Sequence, residues 1–190
     1  TLDNQQIIML GYSDSTKDGG YLSACWSLYE AQQKLYKVAL KHGVNVTYFH
    51  GRGGALGRGG GPAGRSILSL PADTFHGSLR ITEQGEVLAD RYDDPNIAHR
   101  HLEQIVSMSM IACDKKDKDE KSEWNQIMME LSEQSFLKYR ELLGQPDFIE
   151  YFRSSTPISE IEKLEIGSRP ARRKGGNSLA DLRAIPWVFS

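Results

Sequence analysis

Cysteine is nearly absent. Cys25 and Cys113 are the only two in 190 residues, and neither has a second Cys or a His at metal-ligand spacing, which argues against a disulfide framework or a zinc site. A reducing cytoplasm is the expected compartment. An excess of one charge is also missing: 23 basic against 25 acidic residues give a formal net charge of −2, so no global field favours nucleic acid or an anionic membrane. Any anion site must therefore be built locally. The longest apolar runs, such as Ile105 to Cys113, are too short to span a bilayer, and the first residues lack the charged-then-apolar order of a signal peptide. A soluble protein is expected, bound to neither membrane nor nucleic acid. No internal repeat is visible.

What remains suits one core in one domain over residues 1–190, with 39% hydrophobic residues. Both ends read as cut, because the chain opens just before a strand-like run and stops inside the apolar segment Ala184-Ile185-Pro186-Trp187-Val188-Phe189-Ser190. A fragment is expected.

Gln6 to Leu10 predicts a buried strand that delivers a polar turn, Tyr12 to Gly20. In Tyr21 to His42, Leu22, Trp26, Tyr29, Leu35, Val38 and Ala39 recur at helical steps, and Gly43 supplies a stop. Val44 to Phe49 is a second strand by its β-branched and aromatic content. Strand, helix and strand with short connections make the unit of parallel sheets, whose chemistry gathers in the loops at the carboxyl ends. Ser66 to Leu70 predicts a short helix, Ser78 to Thr82 a third strand, and Asn96 to Cys113 and Ser122 to Leu143 two long helices. Between these helices, 114–121 alternates in charge sign and reads as an exposed loop. Tyr151 to Gly176 shows little periodicity, and Leu182 to Phe189 is a possible last strand.

The most informative stretch is His50-Gly51-Arg52-Gly53-Gly54-Ala55-Leu56-Gly57-Arg58-Gly59-Gly60-Gly61-Pro62. Glycines let backbone N–H groups converge on an anion, and the two arginines add fork-shaped charged donors, so after a strand this composition predicts a phosphate or carboxylate cradle. A flexible linker would favour Ser and lack spaced Arg. Gly59, Gly61 and Gly64 also satisfy the dinucleotide pattern Gly-x-Gly-x-x-Gly, but Pro62 interrupts it and no Lys-Ser or Lys-Thr follows. In the Tyr12 to Gly20 turn, Asp14 and Lys17 stand three apart and could face one pocket, the carboxylate toward a divalent cation and the ammonium toward an anionic substrate. Helix capping by Ser15 or Asp18 is the plainer reading there. His50 is a candidate base by its place beside the cradle, against the plainer reading of a structural histidine. Arg153 and Arg169 sit by turn-like Ser-Ser-Thr-Pro and Gly-Ser-Arg-Pro segments, and Met9 and Trp26 are most simply core.

Together these segments resemble phosphoenolpyruvate carboxylase. Ile8-Met9-Leu10-Gly11-Tyr12-Ser13-Asp14-Ser15-Thr16-Lys17-Asp18-Gly19-Gly20 matches a family signature. Phe49-His50-Gly51-Arg52-Gly53-Gly54, Gly57-Arg58-Gly59-Gly60, Thr82-Glu83-Gln84-Gly85-Glu86, Tyr151-Phe152-Arg153, Gly167-Ser168-Arg169-Pro170 and Leu182-Arg183-Ala184-Ile185-Pro186-Trp187 follow in family order. The resemblance implies an α/β fold, the later strands and helices of a (β/α)8 TIM-type barrel with extra helices, with the active site at the carboxyl ends of the strands. It implies carboxylation of phosphoenolpyruvate with bicarbonate to oxaloacetate and phosphate, an anaplerotic carbon–carbon lyase reaction using Mg2+ or Mn2+ and no organic cofactor. By the same resemblance Asp14 is a metal ligand, Lys17, His50 and Arg52 are catalytic, Met9 and Arg169 contact substrate, and Arg58 binds the inhibitors aspartate or malate. A homotetramer is implied too. The family's Thr-Ala-His-Pro-Thr signature and its upstream metal-binding glutamate are not in these 190 residues, so the fragment is expected to be inactive alone. The reading from another class is a phosphate- or dinucleotide-binding module without carboxylase chemistry.

Overall fold

The computed structural model of the chain describes residues 4–11, 14–50, 63–81, 85–114, 122–163, 179, 181 and 182. Among them the architecture is mixed α/β, mostly helical around a small parallel sheet. The first unit is β1 (Gln5–Leu10), a short helix α1 (Asp14–Gly19), the long helix α2 (Tyr21–Lys41) and β2 (Asn45–His50). After it come α3 (Ala63–Leu68), a 3-10 turn at Ala72–Thr74 and β3 (Arg80–Ile81). The rest is helical: α4 (Gly85–Tyr92), α5 (Pro95–Asp114), α6 (Ser122–Leu143), α7 (Phe148–Ser155) and α8 (Ile158–Ile161).

The sheet runs β1-β2-β3 with both pairings parallel, and its register sets Leu10 beside His50 and His50 beside Ile81. Parallel neighbours need a crossover, and α2 supplies it between β1 and β2. Side chains alternate across a strand, so Tyr48 and Leu10, both buried, share one face, while Ile7 and Met9, each nearly half exposed, share the other. The buried face is tied to α2 by polar contacts. Tyr48 donates its hydroxyl to the Gln32 carbonyl at 3.0 Å, the Gln32 amide donates to Thr74 Oγ1 at 2.6 Å, and Thr74 donates to the Pro71 carbonyl at 2.7 Å. Burial pushes the Tyr48 phenol up to about 12, with Tyr36 adding to it, so the hydroxyl stays protonated and donating. Tyr48, Gln32 and Thr74 thus each donate to a partner, as buried polar groups generally do.

Two apolar clusters hold the helices. Ile67, Phe75 and Ala112 pack α3 on α5 with Leu70, Leu79, Ile105 and Met108 around them. A Cβ at Gly64 would lie 2.5 Å from Met108 Cγ, so this glycine lets α3 and α5 approach closely. The second cluster joins Phe152, Ile158 and Leu182, with Phe148, Ile149 and Leu179 against it. Beside it Arg153 donates two hydrogen bonds to the Glu162 carboxylate, at 3.0 and 3.2 Å, with both side chains largely buried.

Several expectations change. The predicted polar turn Tyr12 to Gly20 contains helix α1, whose six residues are too few to display a period. The aperiodic stretch from Tyr151 onward holds the end of α7 and all of α8; the apolar step Phe148, Ile149 and Phe152 lies across the point where that stretch was taken to begin. Helix α4 was not expected. Met9 is not core, being 46% exposed. Of the last predicted strand only Leu182 is described, as a single bridge, and 115–121 of the predicted exposed loop lie outside the described residues, Asp114 being the end of α5. The described residues hold a three-stranded parallel sheet.

Candidate active site

The register fixes where the motif-bearing segments leave the sheet. Because Leu10, His50 and Ile81 are neighbours across the sheet, the chain leaves β1, β2 and β3 from one edge, the carboxyl edge, where open α/β sheets and barrels bind their ligands. The signature that starts at Ile8, the glycine- and arginine-rich stretch after His50, and the Thr82-Glu83-Gln84 run after Ile81 all depart there. At this edge Gly11 has φ +70, and a Cβ on it would lie 2.9 Å from Leu28 Cδ2 of α2. Only glycine turns the chain there without strain and lets α2 close on the strand end.

His50 ends the central strand, half-buried, and burial holds its imidazole below the usual histidine range. It is therefore neutral at physiological pH and able to accept a proton. The stability consequence has a definite sign. A depressed histidine lets the unfolded chain bind the proton first, so its contribution is full above about pH 6.5, the ordinary value, and is lost as pH falls through the lower folded-state value. His50→Gln should flatten that acid-side loss, and the His50 ring should titrate below 6.5 in an NMR pH series. A titration at or above 6.5 would contradict the burial argument.

Met9 and His50 are one position apart across the β1–β2 pairing but on opposite faces, since Met9 pairs with Phe49 and Leu10 with His50. The Arg80 guanidinium lies 5.0 Å from the centroid of the Phe49 ring, within cation–π range. The open face of the sheet thus presents Met9, Phe49 and a guanidinium near the carboxyl edge. Arg80 was not singled out in the sequence, where one arginine in a two-residue strand carries no pattern.

Lys17 lies in the last turn of α1 with only 6% of its surface exposed. Its ammonium pairs with the Asp18 carboxylate at 3.2 Å, whose side chain is 67% exposed. Asp14 opens the same helix three residues earlier, and its side chain lies outside what is described. Arg52, Arg58 and Arg169 also lie outside the described residues. Among the described residues no group of three or more His, Cys, Asp or Glu could hold a metal ion. A single carboxylate is a poor magnesium site, because the ion then keeps most of its water. The described residues do not make a metal site by themselves. Nor do they favour a dinucleotide site: Gly64, third glycine of the weak fingerprint, serves the α3–α5 contact, and α3 is only six residues long. No described helix is long and apolar enough to cross a membrane.

The family model of phosphoenolpyruvate carboxylase matches residues 1–190. The chain belongs to the phosphoenolpyruvate carboxylase family. It is 50% identical over 186 residues to the phosphoenolpyruvate carboxylase of Roseiflexus castenholzii, covering 97% of this chain and 20% of that one. It is 51% identical over 187 residues to that of Thermosynechococcus vestitus, covering 97% and 18%. With phosphoenolpyruvate carboxylase 3 of Sorghum bicolor it shares 46% over 190 residues, 100% of this chain and 20% of the relative. The chain thus spans about a fifth of the length of the relatives it matches. The family resemblance read from the signature motifs holds across the whole sequence, and in this carboxylase-family chain the described motif residues Met9 and His50 border one sheet edge while Lys17 is buried in the short helix that follows β1.

Proposed function

We propose that these 190 residues contribute the later strands of a (β/α)8 barrel to a lyase that carboxylates phosphoenolpyruvate with bicarbonate, giving oxaloacetate and phosphate. The observation that carries the reading is the common carboxyl edge, from which three motif-bearing segments leave parallel strands taken in sequence order. One sheet face lies under α2 while the other exposes Ile7 and Met9, which is the arrangement expected of neighbouring barrel strands whose inner face meets strands outside this chain.

In this reading bicarbonate oxygen attacks the phosphoenolpyruvate phosphorus, leaving the enolate of pyruvate and carboxyphosphate. Carboxyphosphate then breaks to carbon dioxide and phosphate, and the enolate carbon bonds to the carbon dioxide. Each species is anionic, so fixed cations where charge develops lower the barrier. Lys17, Arg52 and Arg169 supply them. The proton that bicarbonate carries ends on phosphate, and the neutral imidazole of His50 is able to accept it in between. Met9 beside Phe49 offers an apolar lining that keeps water from the enolate. Arg58 is assigned to the inhibitors aspartate or malate. Asp14 is assigned as one ligand of a divalent cation, Mg2+ or Mn2+, whose chemistry when bound is to polarise phosphate and enolate oxygens. The assembly is assigned as a homotetramer in the cytoplasm.

The test is a coupled assay of oxaloacetate on the full-length protein. Oxaloacetate should appear only when phosphoenolpyruvate, bicarbonate and a divalent cation are all present. Tight dinucleotide binding without oxaloacetate would overturn the reading in favour of a binding module.

A further inference from the structure

A six-residue helix cannot hold itself in water, because helix nucleation costs more than so few hydrogen bonds return. The position of α1, and with it Lys17, must come from tertiary contacts. One of them is specific. Tyr139 of α6, 122 residues away, donates its hydroxyl to the backbone carbonyl of Lys17 at 2.6 Å. Carbonyls in the last turn of a helix have no donor within it, and α2 does not continue the ladder because Gly20, at φ 77 and ψ 165, turns the chain between the two helices. Close approach is built in as well: a Cβ on Gly20 would stand 3.1 Å from Tyr139 Cγ, and a Cβ on Gly19 would meet Phe136, one turn earlier on α6, at 4.0 Å. The two glycines let α6 lie directly on the end of α1, where the tyrosine hydroxyl meets the peptide of the lysine.

The geometry points to Tyr139 as a positioning residue for Lys17: it fixes the lysine's peptide and so the place of the buried ammonium, without touching substrate. This rests on the reading of Lys17 as a catalytic cation. Neither the charge of Lys17 nor the apolar packing of α6 requires a hydroxyl here. A ring alone would fill the space.

The experiment is a double-mutant cycle on the full-length protein. Tyr139→Phe should lower kcat by about tenfold, since displacements of an ångström or less at a catalytic group cost factors of this order, while the KM for phosphoenolpyruvate stays within about twofold. In a Lys17→Ala background the same change should alter kcat by less than about twofold, because the group being positioned is gone. Gly20→Ala, which drives a methyl onto the Tyr139 ring, is a second perturbation of the same contact and should show the same insensitivity in that background. Equal losses in both backgrounds would mean a general structural role and overturn the inference. If Lys17→Ala impairs turnover and Tyr139→Phe does not, the positioning role falls and the carboxylase reading stands. If Lys17→Ala leaves turnover intact, the catalytic reading of Lys17 fails and the positioning role fails with it.

Discussion

Lys17→Ala in the full-length protein should lower kcat by about a hundredfold or more, which corresponds to roughly 2.7 kcal/mol of lost transition-state stabilisation. Stability should change far less. The partner left behind, Asp18, is 67% exposed on its side chain and returns to water, so no buried charge is stranded, and the loss is confined to the packed aliphatic stem, about 1 kcal/mol. Arg52→Ala should act in the same direction, because both residues are cations in segments that leave the carboxyl edge. Steady-state kinetics beside thermal unfolding separate the two effects. Parental kcat in both variants would remove the catalytic assignment of these segments.

Ile158→Ala should be the most damaging core change. Ile158 is fully buried, at 0% exposure, against Phe152 and Leu182, and truncation of such a residue costs about 2–5 kcal/mol through lost transfer energy and the cavity left behind. In the proposed reading the consequence extends to Arg169, because the cluster joins described residues on either side of it in sequence: α8 ends at Ile161, and Leu179 and Leu182 return to the same apolar contact. Hydrogen exchange should show lost protection across α7 and α8, and the KM for phosphoenolpyruvate should rise more than kcat falls. Unchanged exchange in 148–163 would show that the cluster carries little of the local stability.

The long elements were legible because their apolar periods extend over many residues. Ser122–Leu143 matches its expected bounds, Pro95–Asp114 and Tyr21–Lys41 come within a residue of theirs, and Asn45–His50 is shifted by one. Of the short ones, α3 and β3 were expected with different bounds, and α1, α4, α7 and α8 were not. Helices of six, eight and four residues such as α1, α7 and α8 offer about two turns or fewer, and tertiary packing rather than propensity holds them. Arg153 shows the same limit: its turn-rich surroundings suggested a posed loop, whereas the structure ties it to Glu162.

The sequence by itself determined the family, because the signature runs are specific in residue type and order, and the family model matches over residues 1–190. It also pointed to the loops after the strands, since strand, helix and strand with short connections is the unit from which parallel sheets are built. Only the tertiary structure decided which motif residues meet. It set Leu10, His50 and Ile81 side by side at one edge, turned Met9 outward on the open face, buried Lys17, and brought Tyr139 onto its carbonyl. The reason is physical. Residue type and spacing encode local conformation and chemical capacity, whereas a hydrogen bond between residues 122 apart depends on how α1, α2 and α6 pack, which the pattern of either segment alone does not contain.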